Sequence, residues 1–265
     1  SLTGGVEKKV YTVEILNISR FNGHFPPETN RDKADGPSSP KGLFTWLAGQ
    51  CKDSTYAWDC GTGSGQAAIE HSKHFHHVLA KDASDAQIKQ AEPRDNITYK
   101  VSPAEKLDVP DNSFDLITVA QAIHWFDLPT FFRTVDRVLK PGGVLAIWGY
   151  QFIHTGTDID DLISHFHSTI VGPYWPPERN LLNEGYKDIS FPYKRLPTPD
   201  FSMEATWNLS QLVGYLDTWS AVKEYEKVNQ RSPITDIAEE LEKLWGNSAE
   251  NKPISWPLIM YLGKK

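Results

Sequence analysis

The sequence has few cysteines, no excess of positive charge and no long apolar run. Cys51 and Cys60 are the only cysteines in 265 residues, and they form no C-x-x-C pair. This composition favours neither a disulfide framework nor a cysteine zinc site, and it fits a reducing, cytoplasmic location. The formal net charge of −7 disfavours a nucleic-acid partner, because such a partner usually requires clustered Lys and Arg side chains. A small molecule is the expected partner.

Two further classes of site have little support in the sequence. Apolar runs such as GGVLAIWGY are too short to cross a bilayer, so we expect no membrane segment and no membrane partner. The run HSKHFHH, from His71 to His77, contains no acid or cysteine to complete a metal-ligand set. We interpret this run as a solvated helix end and predict no metal site.

From residue 43 onward, helical and extended patterns alternate along the chain. Helical spacing occurs in LFTWLAGQC, QAAIEHSKHF, SDAQIKQAE and LPTFFRTVDRVL, and strand patterns occur in YAWD, HVLAKD, ITYKV, FDLITVA and VLAIWGY. SMEATWNL and ISWPLIMYLGKK add two further strand patterns, with one helix predicted around LSQLVGYLDTWSAV and another around ITDIAEELEKLWG. The alternation predicts an α/β fold: a doubly wound, mostly parallel, Rossmann-like sheet of seven strands with helices on both faces.

Proline, glycine and aromatic residues indicate the boundaries of the regions. Residues 1–42 read as an irregular segment and a possible lid, and residues 43–265 read as one domain. Within that domain, residues 43–150 form the core and residues 151–200 a proline-rich and aromatic-rich cap insertion. Residues 201–265 complete the sheet and its helices. Such insertions commonly carry substrate contacts.

The turn DCGTGSG follows the first strand and places Gly61, Gly63 and Gly65 at alternate positions. Glycine at such a turn permits positive φ angles or the close approach of a ligand. A nucleotide fingerprint of the form G-x-G-x-x-G would need a glycine where Gln66 stands, so a phosphate cradle is disfavoured. The turn alone is equally compatible with a ligand site and with an ordinary tight connection.

Asp82 ends the second predicted strand, 23 positions after Asp59. This separation is close to that at which a second-strand acid accepts hydrogen bonds from ribose hydroxyls. Taken alone, Asp82 is better explained as an acid that caps the helix that follows it. Combined with the glycine turn, the spacing favours a ribose contact.

Four motifs in order resemble those of the class I S-adenosylmethionine-dependent methyltransferases, within them the type 11 small-molecule group that includes trans-aconitate methyltransferases. The motifs are DCGTGSG, AKDASDAQI, PAEKLDVPDNSFDLITVAQAIHWF and RVLKPGGVLAIWGY, and the resemblance runs from about Leu43 to Tyr150. It implies S-adenosylmethionine as the cofactor, with glycines beside its methionine part and Asp82 on its ribose. Ala104 and Glu105 are implied to lie beside adenine, and Gln121 near the amino-acid end. The other cofactor-binding residues implied are Asp59, Gly61, Gly63, Gly65, Asp82 and Ala83.

The chain departs from this family in its N-terminal region. Relatives usually carry Arg-Pro-x-Tyr-Pro before the first helix, where this chain has GPSSP with Gly36 and Ser39 in place of the arginine and tyrosine. After the fourth strand, His124 is a candidate general base or a structural histidine, and Trp125 either faces substrate or belongs to the core.

The expected reaction is methyl transfer to a carboxylate oxygen of a small organic acid, because a carboxylate needs no base at pH 7. The predicted substrate-facing residues are Trp125, Tyr150, Trp175 and Arg179, with Trp175 alternatively filling a small core of the cap. Three alternatives are an N- or phenol O-methyltransferase, a catalytically silent cofactor-binding protein, and a nicotinamide oxidoreductase. The last is disfavoured by Gln66 in the glycine turn.

Overall fold

A computed structural model describes Pro40, residues 42–150 and residues 152–265. The irregular segment predicted for residues 1–42, including Gly36 and Ser39, lies outside the described residues apart from Pro40 and Gly42.

The first half of the described chain alternates helices and strands as predicted. Its elements are α1 (Leu43–Gly49), β1 (Tyr56–Cys60), α2 (Gln66–Ser72), β2 (His77–Asp82), α3 (Asp85–Ile88), β3 (Ile97–Val101), β4 (Phe114–Ala120), α4 (Leu128–Val138) and β5 (Leu139–Tyr150). Residues 102–113, between β3 and β4, form turns and loop.

The second half is less regular. Its elements are α5 (Ile159–His165), a π-helical turn (Phe166–Ile170), α6 (Asn180–Asn183), β6 (Ser202–Trp207), α7 (Leu209–Asp217), α8 (Ser220–Asn229), α9 (Ala238–Trp245) and β7 (Lys252–Lys264). The prediction of one helix around LSQLVGYLDTWSAV is wrong, because two helices occupy that region. Trp219 separates them by taking an extended backbone, with φ −62° and ψ 134°.

The strands form one seven-stranded sheet in the order β3-β2-β1-β4-β5-β7-β6. Strands β1 to β5 are parallel, and β7 runs antiparallel to both β5 and β6. The predicted mostly parallel, Rossmann-like fold is confirmed. Because β1 lies between β2 and β4, the loops that leave these three strands emerge side by side at their carboxyl ends.

The chain divides into two compact units. The parallel-sheet unit comprises Gly42–Tyr150, Leu181–Phe201 and Leu258–Lys265. The second, named here the aromatic unit, comprises in its described part residues 152–180 and Ser202–Pro257. The boundary after Asn180 falls inside the cap insertion predicted for residues 151–200.

The parallel-sheet unit is apolar on both faces of its strands. Trp58, Ile117 and Ile147 belong to one core cluster, whereas Ala57 and Leu116 belong to the other. A parallel sheet covered by helices on both sides buries successive residues, which explains the near-continuous apolar patterns of its strands.

Two further local predictions are wrong. His71 does not lie at a solvated helix end: its side chain is fully buried, and Nε2 lies 2.9 Å from Thr118 Oγ1. Helix α3 also ends much earlier than the predicted SDAQIKQAE. The backbone N–H groups of Gln90 and Ala91 donate to carbonyls three residues back, which ends the α-helix shortly before Pro93.

Candidate functional site at the carboxyl ends of the strands

The glycine turn adopts a backbone that favours glycine. The φ angles of Gly61, Gly63 and Gly65 are 64°, 60° and 89°. A Cβ atom on Gly61 would lie 2.7 Å from Ala122 Cβ, and one on Gly65 would lie 2.9 Å from Tyr99 Cε1. Two of the three glycines are therefore required by both backbone conformation and packing.

Asp82 joins this turn to the end of β2. Its Oδ2 accepts a hydrogen bond from the Gly63 N–H at 2.9 Å, and its Oδ1 accepts one from the Ser84 N–H at 2.8 Å. Burial raises the pKa of the Asp82 carboxyl, and these two hydrogen bonds oppose that rise. Ser84, rather than Asp82, caps α3, since its side chain accepts from the Gln87 N–H. Each Asp82 oxygen retains lone-pair capacity for a further donor such as a ribose hydroxyl.

Asp59 supports the glycine turn through side-chain contacts. Thr62 Oγ1 donates to Asp59 Oδ2 at 2.7 Å, and Thr118 Oγ1 donates to Asp59 Oδ1 at 2.9 Å. Because the Thr118 hydroxyl proton is directed to Asp59, its oxygen accepts from Nε2 of His71. Burial raises the Asp59 pKa to about 6, while burial lowers the His71 pKa to about 3. A buried polar chain thus links α2, β4 and the turn.

The loop after β3 contains the two residues expected beside adenine. Ala104 is buried, and Glu105 Oε1 accepts from the Asp127 N–H at 2.8 Å. Thr134 Oγ1 donates to the Glu105 carbonyl at 3.3 Å. Glu105 therefore connects the loop after β3 to the beginning of α4. Ala83, next to Asp82, is exposed.

The segment after β4 contains a backbone conformation that is rare outside glycine. Gln121 has φ 60°, is buried, and donates its N–H to the Trp148 carbonyl at 2.8 Å. A positive φ at such a residue is held by its surroundings and occurs often at functional sites. His124 is buried in the following 3-10 turn, with its ring centroid 4.5 Å from that of half-buried Trp125.

The predicted substrate residues belong to different units. Tyr150 ends β5 in the parallel-sheet unit, where burial raises the pKa of its phenol. Trp175 and Arg179 belong to the aromatic unit, with the guanidinium carbon 4.5 Å from the centroid of the Trp175 ring. Trp175 is buried, and its Nε1 donates to the His167 carbonyl at 2.9 Å. The structure brings Trp175 and Arg179 together and gives Trp175 a place in the core of its unit.

Sequence reasoning missed two buried groups near these sites. Lys81 immediately precedes Asp82, and a charged residue within the apolar strand pattern HVLAKD was the available signal. His167 had no comparable signal. Its ring lies 4.7 Å from Trp175, 4.9 Å from Phe152 and 5.3 Å from Trp219, centroid to centroid. Burial, with a smaller effect of the Arg179 charge, lowers its pKa to about 3.

Neither a bilayer span nor a metal-ligand cluster occurs in the part of the chain that the structure describes. No helix there combines the length and apolar character needed to cross a membrane. No three His, Cys, Asp or Glu side chains there come together in a possible metal site.

Known proteins are similar to this chain in sequence and in fold. Residues 58–147 match a family described as a methyltransferase domain. A candidate methyltransferase of Dictyostelium discoideum is 32% identical, with 96% of this chain and 99% of its own length covered. The chain belongs to the class I S-adenosylmethionine-dependent methyltransferases. A solved candidate type II methyltransferase from Anaeromyxobacter dehalogenans is similar to this methyltransferase chain at 35% identity and a TM-score of 0.80, covering 87% of this chain and 98% of its own.

A third relative matches with lower identity. The Saccharomyces cerevisiae protein CRG1, whose name describes an S-adenosylmethionine-dependent methyltransferase, is 25% identical over 78% of this chain and 84% of its own length. The names of these three relatives specify no methyl acceptor.

The residues at the strand ends fit the cofactor of this methyltransferase family. The Asp82 carboxylate has acceptor capacity for ribose hydroxyls, and the adjoining turn presents glycine backbone without side chains. The predicted contacts of Asp59, Ala83, Ala104, Glu105 and Gln121 with this cofactor stay predictions.

Proposed function

We propose that this methyltransferase transfers a methyl group to a carboxylate oxygen of a small, partly apolar organic acid. The observation that carries the choice of acceptor is the Arg179 guanidinium over the Trp175 ring, with the guanidinium carbon 4.5 Å from the ring centroid. A planar cation beside an aromatic face suits a ligand that has both an acid group and an apolar body. The proposed location of the enzyme is the cytoplasm.

When bound, the cofactor would supply an activated methyl group: a carboxylate oxygen would provide the electron pair of the new C–O bond, and the S–C electron pair would stay on sulfur as a neutral thioether. The side chains therefore need to position the two reactants and exclude water. In the proposed assignment, Asp82 accepts the ribose hydroxyls, Ala104 and Glu105 adjoin adenine, and Gln121 adjoins the amino-acid end.

Proton transfer distinguishes the possible acceptors. A carboxylate is ionised at pH 7 and gives up no proton, whereas a phenol or an ammonium group must lose one. His124 is the residue we assign as base if the acceptor proves to be an amine or phenol. Its position in the 3-10 turn that follows β4, beside Trp125, supports that second assignment.

The stability of the methylated product toward alkali tests the acceptor atom. The enzyme is incubated with methyl-labelled S-adenosylmethionine and a mixed pool of small acids, amines and phenols. We expect label that becomes volatile in base, because alkali hydrolyses methyl esters to methanol. Base-stable label would assign the acceptor to nitrogen, carbon or phenolic oxygen. Bound cofactor without any labelled product would indicate a catalytically silent protein.

Substitution of Arg179 tests the acceptor contact in the same assay. For Arg179→Met, we expect the KM of the methylated acid to rise about 10- to 100-fold, the scale of a lost charge-assisted hydrogen bond. Arg231→Met is the matched control, because Arg231 also lies over a ring, 5.4 Å from the Tyr225 centroid, in the same unit. An Arg179→Met enzyme with reduced stability and unchanged kinetics would contradict the contact.

A further inference from the structure

We propose that Lys81 is a positioning residue that holds the loop of residues 102–109 in place, and with it the adenine side of the cofactor site. This inference rests on the proposed assignment of Asp82, Ala104 and Glu105 to the cofactor.

Lys81 is a charged side chain in the interior of the parallel-sheet unit. Its exposed fraction is only 3%, and lysine is almost never buried to that extent without a partner. Its Nζ donates to the backbone carbonyl of Lys106 and lies 5.7 Å from the centroid of the Trp58 ring. Burial lowers the pKa of the Lys81 amine. The ammonium group is thus compensated by one carbonyl and one aromatic face.

The loop that receives this hydrogen bond is held by side chains attached to regular elements. Thr134 of α4 donates to the Glu105 carbonyl at 3.3 Å. Arg137 of α4 donates to the carbonyls of Leu107 and Val109 at 2.8 Å and 2.7 Å. Lys81 adds a donor from strand β2. The loop therefore takes its shape from donors on α4 and on the sheet.

The position of Lys81 couples this loop to the ribose side of the site. The Lys81 carbonyl accepts from the Thr62 N–H at 2.8 Å, and the carboxylate of neighbouring Asp82 accepts from the Gly63 N–H. Two successive residues of β2 thus contact the glycine turn, while the Lys81 side chain contacts the loop that contains Ala104 and Glu105. Without this donor, the loop would keep its bonds to α4 but lose its bond from the sheet, and the added freedom would have to be removed when the cofactor binds, which lowers affinity.

If Lys81 had a purely structural role, its substitution would lower the stability of the fold. If Lys81 is a positioning residue, its substitution lowers cofactor affinity instead. In Lys81→Met, the apolar stem is kept, the desolvation cost of the buried charge is removed, and the Lys106 carbonyl keeps a hydrogen bond from the Ser102 hydroxyl at 3.4 Å. We therefore expect the stability to urea to stay near that of the parent, while the loop loses its donor from the sheet. Loss of cofactor affinity without loss of stability is the signature of positioning.

The matched control is Lys100→Met. Lys100 is the register partner of Lys81 on the adjacent strand β3, and its side chain is exposed. Both substitutions remove one positive charge from the same region of the sheet. They differ in whether the charge is buried and bonded to the loop.

The experiment measures the Kd of S-adenosylmethionine by calorimetry, together with hydrogen exchange of the backbone amides. For Lys81→Met we expect the Kd to rise about tenfold, the scale of one lost hydrogen bond from a charged group. The KM for S-adenosylmethionine should rise with it, kcat should change little, and exchange should increase in residues 102–109. Lys100→Met should bind as the parent does.

Several results would overturn the proposal. These are an unchanged Kd in Lys81→Met, an equal loss in Lys100→Met, or faster exchange spread evenly over the sheet. If Lys81→Met does not fold, Lys81→Gln is measured against the same criteria. Failure of the parent itself to bind S-adenosylmethionine would contradict the proposed function, and is thereby distinguished from a failure confined to Lys81.

Discussion

The parallel-sheet unit and the aromatic unit surround their buried polar groups differently. In the parallel-sheet unit, the carboxylates of Asp59 and Asp82 each accept two hydrogen bonds from residues of the turns and strands. In the aromatic unit, the buried imidazole of His167 packs among the rings of Phe152, Trp175 and Trp219. Hydrogen bonds impose distances and directions, whereas ring contacts tolerate several orientations.

This difference matches the division of labour that we propose. A cofactor shared across a family is best held by a rigid hydrogen-bonded frame at the strand ends. An acceptor with an apolar body is better served by aromatic surfaces and a few polar groups. We therefore propose that the parallel-sheet unit fixes the geometry of cofactor binding and that the aromatic unit contributes to acceptor specificity.

The largest effect should come from disturbing the rigid frame at Gly61. In Gly61→Ala, the new Cβ would lie 2.7 Å from Ala122 Cβ, and φ is 64°. We expect a loss of about 3 kcal/mol in the free energy of unfolding, from overpacking together with backbone strain. Urea unfolding measures this loss of stability. In the control Gly142→Ala, φ is 78° and the new Cβ would have no atom within 4 Å outside its chain neighbours, so strain alone should cost about 1 kcal/mol. Equal losses would contradict a close-packed turn.

Removal of the Asp82 carboxylate should weaken cofactor binding while the fold persists. For Asp82→Ala we expect S-adenosylmethionine affinity to fall by about 1.5 to 3 kcal/mol, the scale of a lost charge-assisted hydrogen bond. Calorimetry measures this loss, and Asp85→Ala removes an exposed carboxylate three residues away as the control. Unchanged affinity in a folded Asp82→Ala protein, or tighter binding of NAD by the parent, would exclude the ribose assignment.

The smallest of the three effects concerns acid stability of the aromatic unit. The folded-state pKa of His167 is about 3, below the ordinary histidine value of 6.5, so the unfolded chain takes up a proton more readily. Stability is therefore lost as pH falls below 6.5. Replacing His167 with Phe should reduce the loss between pH 7 and pH 5 by about 2 kcal/mol.

Urea unfolding at both pH values checks this prediction, with His76→Phe as the control because His76 is exposed. In the parallel-sheet unit, two buried groups oppose each other as the pH falls from about 6 to about 4. The raised pKa of Asp59 favours the folded state over this range, whereas the lowered pKa of His71 disfavours it. Identical pH dependence in the parent and His167→Phe would show that the loss of stability in acid does not arise from His167.

The local sequence pattern was sufficient to predict those strands whose burial follows the periodicity of the chain. The apolar patterns HVLAKD and FDLITVA predicted β2 and β4, because strands buried on both faces need apolar residues at nearly every position. Pattern was insufficient for His71, whose local neighbours suggested a solvated helix end. Its burial depends on Thr118, which lies 47 positions away in the sequence and faces it from β4.

The sequence by itself determined the α/β alternation, the glycine turn and the presence of an acid at the end of β2, because these follow from short-range periodicity and backbone preference. Only the tertiary structure decided that β7 lies between β5 and β6, and that Asp82 bonds to Gly63. It also decided that Lys81 reaches the carbonyl of Lys106. These contacts join residues that are distant in the chain, and they form only when the packed core brings separate strands and loops together.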